Sequence, residues 1–227
     1  HLGGTKVRDL APLKRAPLTT LDIGLTEVSD LSPLRGMKLG VLVLEGSKVS
    51  DITPLRGMPL SVLLMARTAV TNLGPLKGAP LASLNINSTR INDLTPIREL
   101  PIGSLSMEST QITSLTALHE MPLTVLHCGF NRINDLVPLR DKALTSLRVN
   151  DTGIKDLAPL RRMPLTELWI QNTKVSDFSA LRTMPLQVLK ADIVPERDAA
   201  ILRDIKTLTT INDQPAAEFL KKLAAGQ

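Results

Sequence analysis

The residues that could support catalysis are three histidines, His1, His119 and His127, and a single cysteine, Cys128. His127 and Cys128 are neighbours on a predicted strand, so their side chains point to opposite faces and cannot form one site. Cys128 stands at a position that is apolar in the rest of the sequence, which predicts a buried and unreactive thiol. The sequence has no HExxH, GxSxG, GxGxxG or phosphate-loop motif. It therefore predicts a protein that is not an enzyme and has no cofactor.

Acidic residues are distributed along the chain and do not gather in one segment. A column of Asp, Asn or Ser recurs every 21 residues: Asp9, Asp30, Asp51, Asn72, Asp93, Ser114, Asp135, Asp156 and Asp177. Such a residue at the head of a helical turn can accept a hydrogen bond from a backbone N–H group. A calcium loop, in contrast, places several acids within one short segment. We therefore predict structural caps, and no metal site, for this column.

Composition limits the remaining classes of function. The chain has 227 residues, with 27 Lys and Arg against 22 Asp and Glu, and a formal net charge of +5. Hydrophobic residues make up 43% of the sequence, which excludes wholesale disorder, and aromatic residues only 2%, which predicts a thin, layered core. One cysteine excludes an internal disulfide. No apolar run approaches the ~20 residues of a membrane span and no signal peptide opens the sequence, so the compartment stays unknown with the cytoplasm slightly favoured.

An internal repeat is the strongest feature of the sequence. The pattern L-x-x-L-x-L-x-x-T-x-V-x-D-L-x-P-L-x-x-M-P recurs every 21 residues, starting at Leu18, Leu39, Leu60, Leu81, Ile102, Leu123, Leu144, Leu165 and Leu186. Within L-x-L the side chains alternate between an inward and an outward face, which predicts a short strand. The D-L-x-P-L segment must return the chain to the start of the next strand. Because a 21-residue repeat leaves too few residues for a full α-helix, we expect a 3₁₀ turn there.

This pattern resembles the leucine-rich repeat, in particular its short, internalin-like form, over about residues 2 to 192. The resemblance implies an α/β fold: a right-handed, curved leucine-rich-repeat solenoid with a parallel sheet on the concave face, 3₁₀ turns on the convex face and a helical C-terminal cap. We expect about nine 21-residue turns over residues 1–192 and a cap over residues 193–227. Because the sequence begins within a turn, the N-terminal turn is incomplete, and we expect a piece of a longer protein.

The C-terminal segment departs from the repeat after Leu189. Residues 195–205, which begin with Pro, predict a helix; residues 208–211 predict a last strand, and a second helix starts at about residue 215. This ending resembles the C-terminal caps of bacterial leucine-rich-repeat proteins, several of which are serine/threonine kinases. The chain has no kinase motif of its own.

Outward side chains of the predicted sheet form columns on the concave face. One column holds Asp22, Val43, Leu64, Asn85, Ser106, His127, Arg148, Trp169 and Lys190. Aromatic residues and Arg are enriched at interface hot spots, and the only Trp lies in this column. We therefore predict that a protein partner binds through His127, Phe130, Arg148, Trp169, Glu108, Asn150, Glu167, Gln171 and Lys190. Alternatively, Arg148 stacks on Trp169 as a local cation–π pair without any partner.

A secondary outward cluster is apolar and consists of Val41, Val43, Val62 and Leu64. Contiguous exposed apolar surface marks an interaction site or a covered one. The cluster therefore predicts either a weak contact surface or a piece of sheet that a further part of the longer protein covers.

The return side of the repeat carries a basic column: Lys14, Arg35, Arg56, Lys77, Arg98, His119, Arg140, Arg161 and Arg182. Nucleic acid is one interpretation of such a column. No aromatic residues interleave with the cations and a net charge of +5 is modest for so long a surface, so nucleic acid is unlikely. Each cation also follows an apolar residue at the end of a helical turn, where it complements the carbonyl groups.

Together these patterns predict a non-enzymatic protein–protein interaction module, part of a larger signalling or surface protein, that is a monomer or weak oligomer. The partner itself is unknown. The alternative function is a basic scaffold that binds nucleic acid or another polyanion through the convex face. Polyanion binding weakens steeply with salt, which separates the two functions. An unshifted His127 would add pH sensitivity near ~6.5.

Overall fold

A computed structural model of the chain describes residues 1–224. They form two compact units: His1–Ile112 with Ala117–Pro122, called here the N-terminal unit, and Thr113–Thr116 with the chain from Leu123 onward, called the C-terminal unit. Each unit repeats one module, a three-residue strand followed by a short 3₁₀ turn. The last residues of the predicted cap, 225–227, lie outside the described residues.

Five strands of the N-terminal unit pair in parallel and in chain order: β1 (Thr20–Asp22), β2 (Val41–Val43), β3 (Val62–Leu64), β4 (Ser83–Asn85) and β5 (Ser104–Ser106). Residues 21 positions apart lie opposite each other, as Leu42 does beside Leu63. The constant length of the repeat therefore sets the strand register, because each L-x-L segment meets the next one in phase.

The repeat strands of the C-terminal unit have the same parallel pairing: β6 (Val125–His127), β7 (Ser146–Arg148), β8 (Glu167–Trp169) and β9 (Val188–Lys190). Strand β10 (Thr210–Ile211) adds to β9 in parallel, and β11 (Gln214–Pro215) pairs with β10 in the antiparallel direction. The predicted parallel sheet is confirmed for the repeat strands. The antiparallel strand pair lies beyond the repeat, where the 21-residue spacing no longer applies.

Short 3₁₀ turns form the return segments, at Ala11–Leu13, Ser32–Leu34, Thr53–Leu55, Gly74–Leu76, Thr95–Ile97, Thr116–Leu118, Val137–Leu139, Ala158–Leu160 and Ser179–Thr183. The Asp column stabilises their first residue. Asp30 Oδ1 accepts a hydrogen bond from the backbone N–H of Ser32 at 2.7 Å, and Asp51 Oδ1 accepts one from Thr53 at 2.8 Å. These hydrogen bonds lower the pKa of both carboxyl groups, because they favour the charged form. The predicted 3₁₀ turns and their capping by this column are confirmed.

The core of each unit consists of apolar layers, one for each repeat. Leu63 and Leu105 in the N-terminal unit, and Leu126 and Leu147 in the C-terminal unit, have no exposed surface. Cys128 is also fully buried, as its position in the repeat predicts. The outward residues on either side of each central Leu are half-buried in β2 to β9. Each strand therefore has one face in the core and one face available for function.

Two helices follow the last repeat strand: α1 (Pro195–Asp204) and α2 (Ala216–Ala224). Both predicted helices are confirmed to within one residue. In α1, the fully buried carboxylate of Asp198 accepts the backbone N–H of Val194 at 2.8 Å and pairs with Arg197 at 2.6 Å. The Arg197 guanidinium also lies 5.5 Å from the centre of the Phe178 ring. The division into a solenoid up to residue 192 and a cap from residue 193 stays a prediction.

Candidate functional site

The outward face of the C-terminal unit brings most of the predicted binding residues together. The register of β6 to β9 aligns His127, Arg148, Trp169 and Lys190, one on each successive strand. Adjacent strands are about 4.8 Å apart, so neighbouring side chains in this column can touch. The central Leu residues of the same strands point into the core and hold the column in place.

The Trp169 ring is in contact with two cations. The Arg148 guanidinium carbon lies 3.8 Å from the ring centre, and the Lys190 ammonium nitrogen lies 4.1 Å from it. Because Arg148 belongs to the preceding strand and Lys190 to the following one, the cations approach the ring from its two sides. The local cation–π pair that the sequence left as an alternative is thus present, and it includes a second cation. We call Arg148, Trp169 and Lys190 the cation–Trp ladder.

Acidic partners neutralise the ladder. Glu167, on the same strand as Trp169, pairs with Arg148 at 2.8 Å, and Asp213 pairs with Lys190 at 2.8 Å. The side chains of Arg148 and Lys190 are only 27% and 16% exposed, so both are held close to the surface of the sheet. The ladder is therefore a fixed surface with little net charge, because its cations are already partnered.

His127 lies half-buried at one end of the column. Its Nε2 is 3.1 Å from the Oγ of Ser146, and this hydroxyl donates to Glu167 Oε2 at 3.0 Å. Because the hydroxyl hydrogen is directed at Glu167, Nε2 of His127 acts as the donor to Ser146. Burial lowers the pKa of His127 and the charge of Arg148 lowers it further, while Glu167 raises it by less. The condition for pH sensitivity near ~6.5, an unshifted pKa of His127, is therefore not met: the ring stays neutral to a lower pH.

Acidification should destabilise the chain through His127. A group whose pKa is lower in the folded state binds fewer protons there than in the unfolded state, so the free energy of unfolding falls as the pH drops below ~6.5. Urea unfolding at about pH 7 and about pH 5 measures this change. The free energy of unfolding should fall less between the two pH values for His127→Gln than for the parent, since Gln keeps a hydrogen-bond donor and cannot titrate. An NMR titration that gives His127 a pKa of ~6.5 or higher would contradict this expectation.

Phe130 lies next to the column, in the turn after β6. Its side chain is 56% exposed and its φ is +56°, in the left-handed region that disfavours large side chains. The backbone N–H of Phe130 donates to the carbonyl of Asn150 at 2.9 Å, which holds this turn beside the chain that leaves β7. The corresponding position of the other repeats also has a positive φ and holds Leu25, Gly46, Arg67, Ser88, Ser109, Asp151 and Asn172. Leu25 and Phe130 are thus exposed apolar residues at a position that suits small or polar ones.

The remaining predicted contact residues differ in accessibility. Asn150 is only 6% exposed and its Oδ1 has no hydrogen-bond partner among the described residues, so its expected place on the accessible surface is wrong. Its Nδ2 donates a hydrogen bond to Oδ2 of Asp151 at 2.9 Å. Gln171 is half-buried. Glu108 belongs to the N-terminal unit, where its Oε2 accepts a hydrogen bond from Asn87 at 3.3 Å.

Sequence reasoning missed two residues of this site. Ser146 lies two positions before Arg148 on the same face of β7, so the two-residue alternation of a strand was a usable signal. Asp213 pairs with Lys190 from the segment between β10 and β11, outside the repeat. No periodicity predicts that contact. The buried Nε1 of Trp169 has no partner in the described part of the chain.

The other features that the sequence predicts lie outside this site. In the N-terminal unit, Val41, Val43, Val62 and Leu64 are half-buried and pair across β2 and β3. Among residues 1–224, no group of three or more His, Cys, Asp or Glu side chains could hold a metal ion. None of the described helices is both long and apolar enough to cross a membrane. Most cations of the return column are exposed, and some pair with acids, as Arg182 does with Asp204 at 3.0 Å.

Comparisons with known proteins agree with this architecture. No protein-family model matches the sequence, and no curated protein is similar to it. Among solved structures, an internalin (inlF) from Listeria monocytogenes has 27% sequence identity and a TM-score of 0.80, over 92% of this chain and 71% of that one. Internalin C2 (inlC2) from the same species has 29% identity and a TM-score of 0.74, over 77% of this chain and 80% of that one.

A third structure shares the fold alone: the leucine-rich repeat domain of APL1B, with 14% identity and a TM-score of 0.63, over 91% of this chain and 71% of that one. Repeat proteins of this class present extended surfaces that bind partners. The resemblance of the C-terminal segment to kinase-linked caps stays a prediction. The 21-residue repeat, the parallel strands with 3₁₀ return turns and these similarities identify the chain as a leucine-rich-repeat domain that is similar to bacterial internalins.

Proposed function

We propose that the chain is a non-enzymatic protein-binding module that contacts its partner through the outward sheet face of the C-terminal unit. The proposed surface consists of His127, Phe130, Glu167, Gln171 and the cation–Trp ladder. Asn150, which is buried, and Glu108, which lies in the N-terminal unit, are not included. We further propose that this module belongs to a larger signalling or surface protein.

The observation that supports this surface best is the exposed ring of Phe130. More than half of its area faces solvent, although the side chain occupies a backbone conformation that favours Gly or Asn. Strained, exposed apolar residues cost stability in the isolated protein and are typical of functional positions. A partner that covers the ring would recover apolar contact, which accounts for Phe at a position where Ser or Asn would be less strained.

The cation–Trp ladder supports the same conclusion in another way. Its side chains are already fixed by cation–π contacts and ion pairs, so binding would not have to immobilise them. Trp and Arg, which the ladder combines, are the residues enriched at interface hot spots. Because the cations have acidic partners, this contact should depend only weakly on salt, unlike the binding of a polyanion.

Replacing Phe130 by Asn should separate binding from folding. The variant removes the ring and places a residue that tolerates the left-handed conformation, so stability should be kept. A partner protein is first captured on the immobilised parent chain, and its Kd is then measured for each variant. We expect Phe130→Asn to weaken binding about tenfold or more, or ~1.4 kcal/mol.

Leu25→Asn is the matched control, because Leu25 is 64% exposed with a φ of +54° at the same repeat position of the N-terminal unit. It should leave the Kd unchanged.

Trp169→Ala should weaken binding by about thirtyfold, or ~2 kcal/mol. Its neighbours Arg148 and Lys190 would lose their shared ring, so its stability must be measured in parallel. Arg161→Ala, on the return side, should have almost no effect, and a reversed ranking would move the function to the basic column.

A further inference from the structure

The return side of the N-terminal unit contains a cleft of about 830 Å³ between two successive turns. One wall comes from residues 14–19 and the other from residues 32–38. Its volume lies within the range of small-molecule sites, about 300–1,000 Å³. Pro17, Leu18, Pro33 and Met37 contribute its apolar lining.

Four cations line this cleft, and none of its lining residues is acidic: Lys14, Arg15, Arg35 and Lys38. Within the described residues, none of the four forms an ion pair. Only Lys14 and Arg35 belong to the basic column that recurs through the chain. Arg15 and Lys38 are additions at this place, and they concentrate positive charge in one cleft.

Two carboxylates of the adjoining turns, Asp30 and Asp51, form capping hydrogen bonds. Asp30 uses both oxygens on Ser32, at 2.7 Å to its N–H and 2.6 Å to its hydroxyl. Asp51 accepts the N–H of Thr53 at 2.8 Å, and Arg35 lowers the pKa of Asp51 only as a minor contribution beside those hydrogen bonds. Both acids therefore cap 3₁₀ turns, and neither forms an ion pair with a cation of the cleft.

Arg15 occupies a position that the following turns give to glycine. Its φ is +68°, and the corresponding Gly36, Gly57 and Gly78 have φ between +74° and +77°. A side chain in this left-handed conformation is strained, whereas glycine is not. Arginine at this position therefore costs backbone strain that glycine would avoid, and it places a fourth cation on the cleft.

A second cleft of the same unit is formed by the corresponding residues of two later turns, and its charge is different. It encloses about 410 Å³ and is lined by Lys77 and Arg98 together with Asp93 and Glu99. Arg98 pairs with Glu99 at 3.2 Å. Glycine, Gly78, stands where the first cleft has Arg15. The second cleft is thus smaller and charge-balanced, whereas the first one has an excess of positive charge.

We propose that the cleft lined by Lys14, Arg15, Arg35 and Lys38 is a binding site for a compact anion that carries clustered phosphate groups. Guanidinium and ammonium groups are the usual phosphate ligands, and four of them around one cleft match several negative charges at short spacing. The site is independent of the proposed protein-binding face, since it belongs to the other unit and to the return side.

Calorimetric titration of the whole chain with inorganic tripolyphosphate tests this site. We expect saturable binding that weakens with salt. Arg15→Gly should weaken it about tenfold while stability is kept or raised, because the substitution also relieves the positive φ. Arg162→Gly is the matched control: it removes the same charge at the same repeat position of the C-terminal unit, where φ is +65°, and should leave the Kd unchanged.

Vesicles distinguish the sources of the phosphate. Capture by phosphatidylcholine vesicles that contain phosphatidylinositol bisphosphate, blocked by tripolyphosphate, would support the site and assign it to a lipid headgroup. Tripolyphosphate binding without vesicle capture would support the site and assign it to a soluble phosphate. Absence of tripolyphosphate binding would overturn the proposal. An equal loss of tripolyphosphate affinity in Arg15→Gly and Arg162→Gly would overturn it as well. The whole return column would then act as an unspecific polyanion surface, for which single-stranded oligonucleotide is the better probe.

Discussion

Truncation of the chain before Pro195 should abolish cooperative unfolding or cause aggregation. The deleted segment supplies β10, whose Ile211 lies beside Leu189 of the last repeat strand and has no exposed surface. The deleted segment also contains Leu202, which is fully buried in α1. Without them, the last apolar layer and the edge of β9 meet solvent, and terminal repeats with an uncovered core are insoluble. Size-exclusion chromatography and thermal unfolding measure the outcome.

A shorter truncation provides the control. Removal of the chain from Gln214 onward keeps α1 and β10, so Leu189 stays covered by Ile211. On the apolar face of helix α2, Phe219, Leu220 and Leu223 are half-buried, and the small side chain of Ala216 is buried. This variant should stay monomeric and unfold cooperatively at a reduced temperature. If the longer truncation is also soluble with unchanged melting, α1 and β10 are an appendage and the proposed cap function is wrong.

The sequence was sufficient to predict the parts of the fold that repeat. The 21-residue spacing predicted the register in which Leu42 lies beside Leu63, and the D-L-x-P-L segment predicted the 3₁₀ turns with their Asp caps. Both are local consequences of one pattern, so each copy reinforces the others. Pro at the first position of α1 also gave its start correctly, since Pro fits the first helical turn.

Contacts outside the repeat could not be predicted in this way. Asp198 is a buried acid in α1 whose partners are Arg197 and the N–H of Val194, and a lone Asp in a helix gives no sign of burial. The pairing of Lys190 with Asp213 depends on the path of the chain beyond β9. In the site itself, column alignment was predictable, whereas the burial of Asn150 and the lower pKa of His127 depend on how neighbouring side chains pack.

Leu105→Ala should reduce the free energy of unfolding by ~2–5 kcal/mol, the usual range for a fully buried Leu. Leu105 has no exposed surface and lies opposite Leu84 in the N-terminal unit. Leu147→Ala, at the same repeat position of the C-terminal unit, should have a similar cost. In a repeat protein each layer contacts only the layers beside it, so the cost depends on burial within the layer and hardly on distance from the chain ends. Urea unfolding of both variants measures the two values.

Ser106→Ala is the matched control on the same strand, because Ser106 points to the outward face and is half-buried. Its effect should stay within ~0.5 kcal/mol, as for most surface substitutions. A loss below ~1 kcal/mol for Leu105→Ala would contradict its assignment to the core, and a much larger loss for one Leu than for the other would contradict the layered description. If the three results agree with expectation, the inward side chains of each strand determine stability, and the residue types on the outward face can vary. The outward position of β8 can then hold Trp169 where β5 holds Ser106, because neither residue is needed to build its layer.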